Sequence, residues 1–471
     1  MFEKIYSFNR DSSSNLIIDH FKNVNYKEFR NLIENFSNLI KSSKIILIIG
    51  SNSINCIAFY IACLKGKAIP LLLPNTIKPF QISDYIRRFS PYAIYSEKKL
   101  NLNSKKKLFF EYSFFYFLSD SNNLVSKYPY LLLTTSGSTG SPKVVVVSKE
   151  NLYSNTDAII NYLKISSKDK HISSLPMNYT YGLSCLNTHL VANSSIVLTN
   201  NSLLSNEYWK LFKASKPSTF AGVPYSYEII CKLGLNKLPL NSIEKFTQAG
   251  GKLSEKYLNL MIEYIKKNDK EFFVMYGQTE ATARMSYLPS KKLQDKIGSI
   301  GIPIPNGEFT IDFKMDYPKH KGYQIGELIY RGPNVTSGYA KNFHDLEKHK
   351  SPAEELRTGD LAYKDNDNHY YICGRINRFA KINGYRISLD DIQNIILEKY
   401  PCAIVSDDKY IYVFSDSLIF KTLPESNKKL LKKIILKKVD INPTLIKFKY
   451  IKSIPKNNSG KIIYGDLIWY Q

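Results

Sequence analysis

Between Thr134 and Lys143 the chain sets six hydroxyl side chains and two glycines in one stretch that ends on a cation. Such a loop can offer backbone N–H groups, hydroxyl donors and an ammonium to one anion, which is what a polyphosphate needs. It lacks the Gly-Lys-Ser/Thr ending of a Walker loop. The run Val144-Val145-Val146-Val147 after it reads as a buried strand rather than a helix. A polar hairpin turn between Tyr130–Leu133 and the valines is the competing reading of the same residues.

Four further segments would complement a phosphate loop. Tyr276-Gly277-Gln278-Thr279-Glu280 follows an apolar run, so Glu280 ends a strand, where a hard carboxylate oxygen suits Mg²⁺ and Tyr276 suits a purine face. A solvated glutamate is the plain alternative. In Arg357-Thr358-Gly359-Asp360 the carboxylate follows a glycine turn and could accept from two neighbouring hydroxyls such as a ribose presents, or be an ordinary turn aspartate. Gly374-Arg375 and Gly384-Tyr385-Arg386 supply guanidinium groups, which match phosphate geometry better than ammonium groups do. Surface arginines are common, so spacing alone does not decide their role. Pro455-Lys456-Asn457-Asn458-Ser459-Gly460-Lys461 is a glycine-bearing loop ending in lysine, able to swing a positive charge onto a reaction centre, or one more solvated lysine.

The elements that must position these residues alternate along the first part of the chain. Ile45–Gly50 is an apolar run, a helix-like stretch follows around Asn55–Leu64, and Ala68–Leu73 is apolar again. That is the β-α-β rhythm of a mostly parallel sheet with helices on its faces, and it recurs through Ser195–Leu198 and Glu271–Met275. From Gly307 to Tyr339 shorter, turn-punctuated strands such as Gly326–Gly332 predict a β-rich subdomain. Composition shifts near Gly374–Arg378. Beyond it come a helix over Leu389–Lys399, strands around Ala403–Val405 and Tyr410–Phe414, and a lysine-rich helix around Lys428–Lys438. The expected fold is α/β: a large N-terminal domain of mixed α/β sheets over 1–376, and a small α+β C-terminal domain over 377–471.

Composition excludes several classes. At 471 residues with 44% hydrophobic and 23% charged residues, the chain is an ordinary globular protein of more than one domain. Its six cysteines form no CxxC pair, which argues against a disulfide framework or zinc site and for a reducing compartment. Residues 108–118 are aromatic but short and carry Glu111, so no membrane span is expected, and the start shows no secretory signal. A cytoplasmic protein is expected. The net charge of +24 invites a nucleic-acid reading, yet lysine is spread over the whole chain and no nucleic-acid-binding motif accompanies it. No nucleic-acid partner is therefore expected. From Lys421 to Lys461 about a dozen lysines face only Glu425 and Asp440: a solvated helix face, or a docking surface for an acidic partner or an anionic cofactor tail.

In sequence and in order, seven segments resemble the adenylate-forming superfamily of acyl- and aryl-CoA synthetases, peptide-synthetase adenylation domains, D-alanyl carrier-protein ligases and luciferases. They are TTSGSTGSPK at 134–143, QAGGKLS at 248–254, YGQTEA at 276–281, GELIYRGP at 326–333, RTGDLAY at 357–363, GRINRFAKINGYRIS at 374–388 and PKNNSGKI at 455–462. With the β-α-β start, the resemblance covers nearly the whole chain. It implies ATP-dependent activation of a small carboxylic acid to acyl-AMP with pyrophosphate release. Transfer to the thiol of CoA, or of the phosphopantetheine on an acyl carrier protein, would follow.

The resemblance also implies roles. Ser136, Gly137, Ser138, Thr139 and Gly140 would grip the β- and γ-phosphates of ATP, with Thr135 and Lys143 beside them. Gly251 and Tyr276 would flank the adenine, and Gly277, Gln278 and Thr279 would complete the nucleotide site. Glu280, aided by Thr139, would hold Mg²⁺. Asp360 would take the ribose hydroxyls and Arg375 the ribose and α-phosphate. Lys461 would neutralise the α-phosphate and the attacking carboxylate. Asn377 would be the hinge of a mobile C-terminal domain, where relatives carry Asp or Lys, and Gly384 would border the thiol tunnel.

Other departures concern the acid. Tyr179 stands where many CoA ligases carry His, and Pro176–Ser184 holds no Asp to pair with an α-ammonium group, which argues against an α-amino acid. The expected acyl pocket draws on Tyr179, Tyr181, Phe220, Gly222, Pro224 and Ala249. The alternative to an enzyme is a non-catalytic relative that binds a nucleotide or a partner.

Overall fold

The computed structural model describes residues 15–19, 23–102, 104–110, 113–118, 125, 128–135, 143–314, 317, 319–382, 385–397, 399–436, 442–456 and 462–467. The chain divides into two compact units. One takes its described residues from 1–135, 143–308 and 330–356, the other from 309–329 and 357–471.

The first unit holds two large sheets. One has eight strands in the order Tyr339–Ala340, Val144–Val147, Leu131–Thr134, Ile69–Pro74, Ile45–Gly50, Ala93–Ser96, Ser113–Phe117, Lys106–Phe110. Its central strands are parallel, with Ile48 opposite Leu72 and Leu47 opposite Ile94. Strands of this kind are apolar on both faces because both faces are covered. Ile46, Ile48, Leu72, Leu131, Leu133, Val145 and Val147 join one core, and Ile45, Leu47, Ile49, Leu71, Leu132, Val144 and Val146 another. The four-valine run is therefore a strand buried on both sides.

The helix Ile54–Lys65 links two of these strands. Ser53 caps it by accepting from the Cys56 amide, and ten of its residues are buried. Tyr26–Ser37 opens with a reciprocal Asn25–Glu28 capping box.

The second sheet has nine strands: Ile302–Pro303, Ser286–Leu288, Glu271–Tyr276, Lys245–Gln248, Thr219–Gly222, Lys170–Ser173, Ser195–Leu198, Asn15–Ile18 and Asn23–Asn25. The pairs from Glu271–Tyr276 to Asn15–Ile18 are parallel and both margins are antiparallel. Side chains alternate between its faces. Phe220 and Phe246 pack with Tyr208, Tyr227 and Phe272, whereas Ala221, Phe273 and Met275 pack with Ile159, Tyr181 and Ala249.

The second unit carries the expected β-rich segment, a four-stranded sheet of Glu308–Asp312, Gly326–Arg331, Leu356–Lys364 and Tyr370–Arg375. It also holds the hairpin Phe379–Ile382/Tyr385–Ser388 and a three-stranded sheet of Ala403–Ser406, Ile411–Ser415 and Ile446–Tyr450. The helices Leu389–Leu397 and Glu425–Leu436 bury Ile392, Ile396, Leu431 and Ile435 with Ile404, Ile411 and Val413. Arg378, only 8% exposed, is held by Asp390 Oδ1 at 2.8 Å, Gln393 Oε1 at 2.9 Å, the Ile404 carbonyl and the face of Tyr464. Among the described residues no helix is long and apolar enough to cross a membrane.

Candidate active site

The hydroxyl-rich segment joins Leu131–Thr134 to Val144–Val147, an antiparallel pair with Thr134 opposite Val144. The Thr135 amide donates to the Lys143 carbonyl at 3.0 Å, so both ends of the loop are fixed to one hairpin. Ser136, Gly137, Ser138, Thr139 and Gly140 lie outside the described residues, as do Gly384 and Lys461.

At the exit of the hairpin the Lys143 ammonium lies 4.7 Å from the centroid of the Tyr339 ring. The Tyr339 hydroxyl donates to Oε1 of Glu280 at 2.5 Å. Tyr339 reaches this place because Tyr339–Ala340 pairs with the valine strand, Tyr339 opposite Val145. Burial first, and then the Glu280 carboxylate, hold the Tyr339 phenol well above its ordinary pKa, so it stays protonated and donating. Sequence reasoning missed Tyr339; it stands 59 residues from Glu280 and nothing in the spacing links them.

Glu280 sits in a short 3₁₀ turn, Thr279–Ala281, at the end of the Glu271–Tyr276 strand. The turn is pinned by its backbone. The Thr336 amide and hydroxyl both donate to the Glu280 carbonyl at 2.9 Å. Buried Asn334 donates to the carbonyls of Ala281 at 2.9 Å and Arg284 at 3.0 Å, and accepts from Tyr330 at 2.8 Å. Asn151, buried in the helix Lys149–Leu163, donates to the carbonyls of Pro333 and Val335 at 2.8 Å each. Buried amides that satisfy several orphan carbonyls at once hold irregular backbone in one conformation. Gly277 belongs to the same fixture, since a Cβ there would stand 1.8 Å from the Ala283 carbonyl oxygen.

The remaining predicted residues of this unit gather at the ends of parallel strands. Gly250 has φ +87°, and a Cβ there would lie 2.4 Å from the Tyr179 hydroxyl, so the turn needs glycine on both counts. Gln248 donates to the Gly251 carbonyl at 2.7 Å, and Pro224 packs against Gly251. Gln278 donates to the Tyr276 hydroxyl at 3.2 Å, and the hydroxyls of Thr279 and Thr180 share a 2.9 Å hydrogen bond. Tyr179, Tyr181 and Ala249 join one apolar cluster. Phe220 does not join them; its ring faces the opposite side of the sheet, 5.8 Å from Tyr227, and a Cβ on Gly222 would meet that same pair.

Thr247, whose carbonyl accepts from the Tyr181 hydroxyl at 2.7 Å, lines a cavity of about 20 Å³. Its wall includes two stacked histidines, with ring centroids 4.5 Å apart. The Cys185 carbonyl can only accept, so His189 carries its proton on Nδ1, 2.8 Å away. His189 Nε2 then accepts from the Thr219 hydroxyl at 3.1 Å, which accepts from His171 Nδ1 at 3.0 Å. Burial keeps both rings neutral, pushing His189 down to about 4 and His171 well below its usual value.

In the second unit Asp360 and Arg375 lie opposite each other across adjacent antiparallel strands. Arg375 Nε donates to Asp360 Oδ1 at 2.7 Å; the aspartate is 2% exposed and the arginine side chain 60%. Beside them Arg357 bridges Asp312 at 2.7 Å and Glu327 at 2.5 Å, while Glu327 also accepts from the Gly359 amide. These bonds brace the turn that presents Asp360. Asn377 lies in the short 3₁₀ segment Ile376–Arg378 between two strands.

A family model described as "AMP-binding enzyme" matches residues 8–340, and the chain belongs to that family. It is 27% identical over 353 residues to the rice protein "4-coumarate--CoA ligase-like 4", spanning 72% of this chain but only 62% of that protein's length. It is 26% identical to the D-alanine--D-alanyl carrier protein ligase of Bacillus licheniformis, over 71% of this chain and 69% of the relative. Its fold matches the o-succinylbenzoate CoA synthetase of Bacillus subtilis, solved with an acyl-adenylate intermediate, at TM-score 0.75 and 19% identity, over 99% of this chain and 97% of that one.

Proposed function

We propose that this chain is an acid–thiol ligase that uses ATP to convert a small carboxylic acid to acyl-AMP, releasing pyrophosphate, and passes the acyl group to a thiol. The observation that carries the reading is the Lys143–Tyr339–Glu280 arrangement at the exit of the hydroxyl-rich hairpin, which puts a cation and a held carboxylate beside a loop of donors. Relatives named as CoA ligases and as a carrier-protein ligase support the reaction class, and they leave both CoA and a carrier-borne phosphopantetheine as acceptors.

The chemistry needs two anions, a carboxylate and an α-phosphate, to meet. Lys143 and the hairpin donors orient the triphosphate so that pyrophosphate leaves in line. Glu280 suits Mg²⁺: among the described residues no three His, Cys, Asp or Glu side chains gather, and Mg²⁺ ordinarily takes one or two carboxylates and completes its shell with phosphate oxygens and water. When bound, the metal supplies neutralising charge. Tyr339 orients the Glu280 oxygen that would face it. Asp360 is the ribose acceptor and Arg375 its charged neighbour, and Lys461 delivers the last positive charge.

We further assign residues 1–376 to the nucleotide- and acid-binding domain and 377–471 to a mobile domain hinged at Asn377. Gly384 borders the thiol path. All six cysteines are unpaired thiols, which suits the cytoplasm. Carboxylate-dependent exchange of pyrophosphate into ATP tests the reading: exchange with at least one acid is expected, and none with any acid would reject it.

A further inference from the structure

The first unit contains a buried cation that the proposed reaction does not use. Arg284 is 3% exposed and lines the 20 Å³ cavity. It makes no ion pair among the described residues; its side chain donates from Nε to the Met275 sulfur at 3.4 Å and lies 4.0 Å from the centroid of Tyr181. Its charge is felt locally: burial pushes the Cys185 thiol up to about 11, and Arg284 pulls the other way. The contrast with the chain's other charges is direct. Arg378, also buried, meets Asp390 and two oxygen acceptors, and Lys245, which lines the same cavity, lies 3.6 Å from Asp169. A buried guanidinium met by a thioether, a ring, the Tyr162 hydroxyl and the Cys185 thiol has only neutral partners and no counter-charge, and buried charges are ordinarily paired.

The position says what would answer it. Tyr181, whose ring covers Arg284, belongs to the cluster with Tyr179 and Ala249 where the acid is expected, and its hydroxyl is held by Thr247, which also lines the cavity. A cavity of this size has room for about one water, so one oxygen of a compact terminal group fits it. We infer that the acid activated by this chain carries a second carboxylate, received at Arg284 beside Tyr181. The planar guanidinium fork matches that group in shape as well as charge. Ser184, Thr188 and Thr247 line the same cavity.

This rests on the acid-activating reading above. The test is pyrophosphate exchange by the full chain with aliphatic and aromatic dicarboxylates, the half-amide of each, and monocarboxylates of equal length. A dicarboxylate should exceed its half-amide by at least about 30-fold in kcat/KM, since leaving one partner of a buried charge pair unmatched costs that much or more. Arg284→Gln should bring the ratio close to one and Arg284→Lys should restore part of it. A half-amide or monocarboxylate as the best substrate overturns the inference, and so does a ratio that survives Arg284→Gln. Should that variant fail to fold, the wild-type ratio decides. If no acid drives exchange, the acid-activating reading falls by itself. The melting temperature then judges Arg284: a rise with dicarboxylates and not half-amides upholds the anion site, and no rise overturns it.

Discussion

The Tyr339 hydroxyl reaches Oε1 of Glu280 at 2.5 Å while the Lys143 ammonium rests 4.7 Å from the centre of the same ring. One aromatic side chain therefore meets a cation at its ring and an anion at its hydroxyl.

Removing the hydroxyl should loosen the carboxylate and leave the ring. Tyr339→Phe is expected to lower kcat/KM about tenfold at limiting Mg²⁺, the value of one hydrogen bond to a charged group. Titrating exchange activity with Mg²⁺ checks this, with circular dichroism showing an unchanged fold. Wild-type Mg²⁺ dependence would reject the role.

Lys461→Ala should slow acyl-adenylate formation by about 10²–10³, the usual loss for one placed charge stabiliser. Stopped-flow pyrophosphate release measures it. Undiminished release by a folded variant would remove Lys461 from the mechanism.

Gly277→Ala should destabilise the first unit, because its methyl would meet the Ala283 carbonyl oxygen at 1.8 Å and no side-chain rotation relieves a backbone clash. The expected loss is about 3 kcal/mol, the upper end of overpacking costs. A urea midpoint shifted downward at constant m-value is the readout. An unshifted midpoint would mean that 277–284 moves freely, against the Asn334 and Thr336 bonds that hold it.

Acid should weaken the chain through its histidine pair. His189 is pushed down to about 4 and His171 lower than usual, while an unfolded histidine titrates near its ordinary ~6.5. Below ~6.5 the unfolded state binds more protons than the native one, so stability is full above that pH and falls as pH drops toward 4. The slope approaches about 1.4 kcal/mol per pH unit for each histidine. Melting temperatures across that range should fall, and His189→Gln should reduce the slope. An identical slope in the variant would locate the acid sensitivity elsewhere.

Much of this was legible before folding. The valine run had to be a strand because four consecutive β-branched apolar residues suit a strand covered on both faces, and Val144–Val147 is one. The β-α-β rhythm of Ile45–Leu73 appears as Ile45–Gly50, Ile54–Lys65 and Ile69–Pro74. The lysine-rich helix begins three residues before its expected start, at Glu425, where the chain leaves Pro424. The Thr134–Lys143 segment joins two antiparallel strands, as its hairpin reading expected.

Sequence alone determined the family and the element types, because strand and helix periodicity and motif spacing are local properties of the chain. Only the tertiary structure decided which side chains share a place. It set Phe220 on the far face of its sheet from Tyr181, since neighbours alternate across a pleat. It brought Tyr339 to Glu280 through strand pairing, and it buried Arg284 away from any carboxylate among the described residues. Burial and pairing are sums over contacts distant in sequence, and no local pattern encodes them.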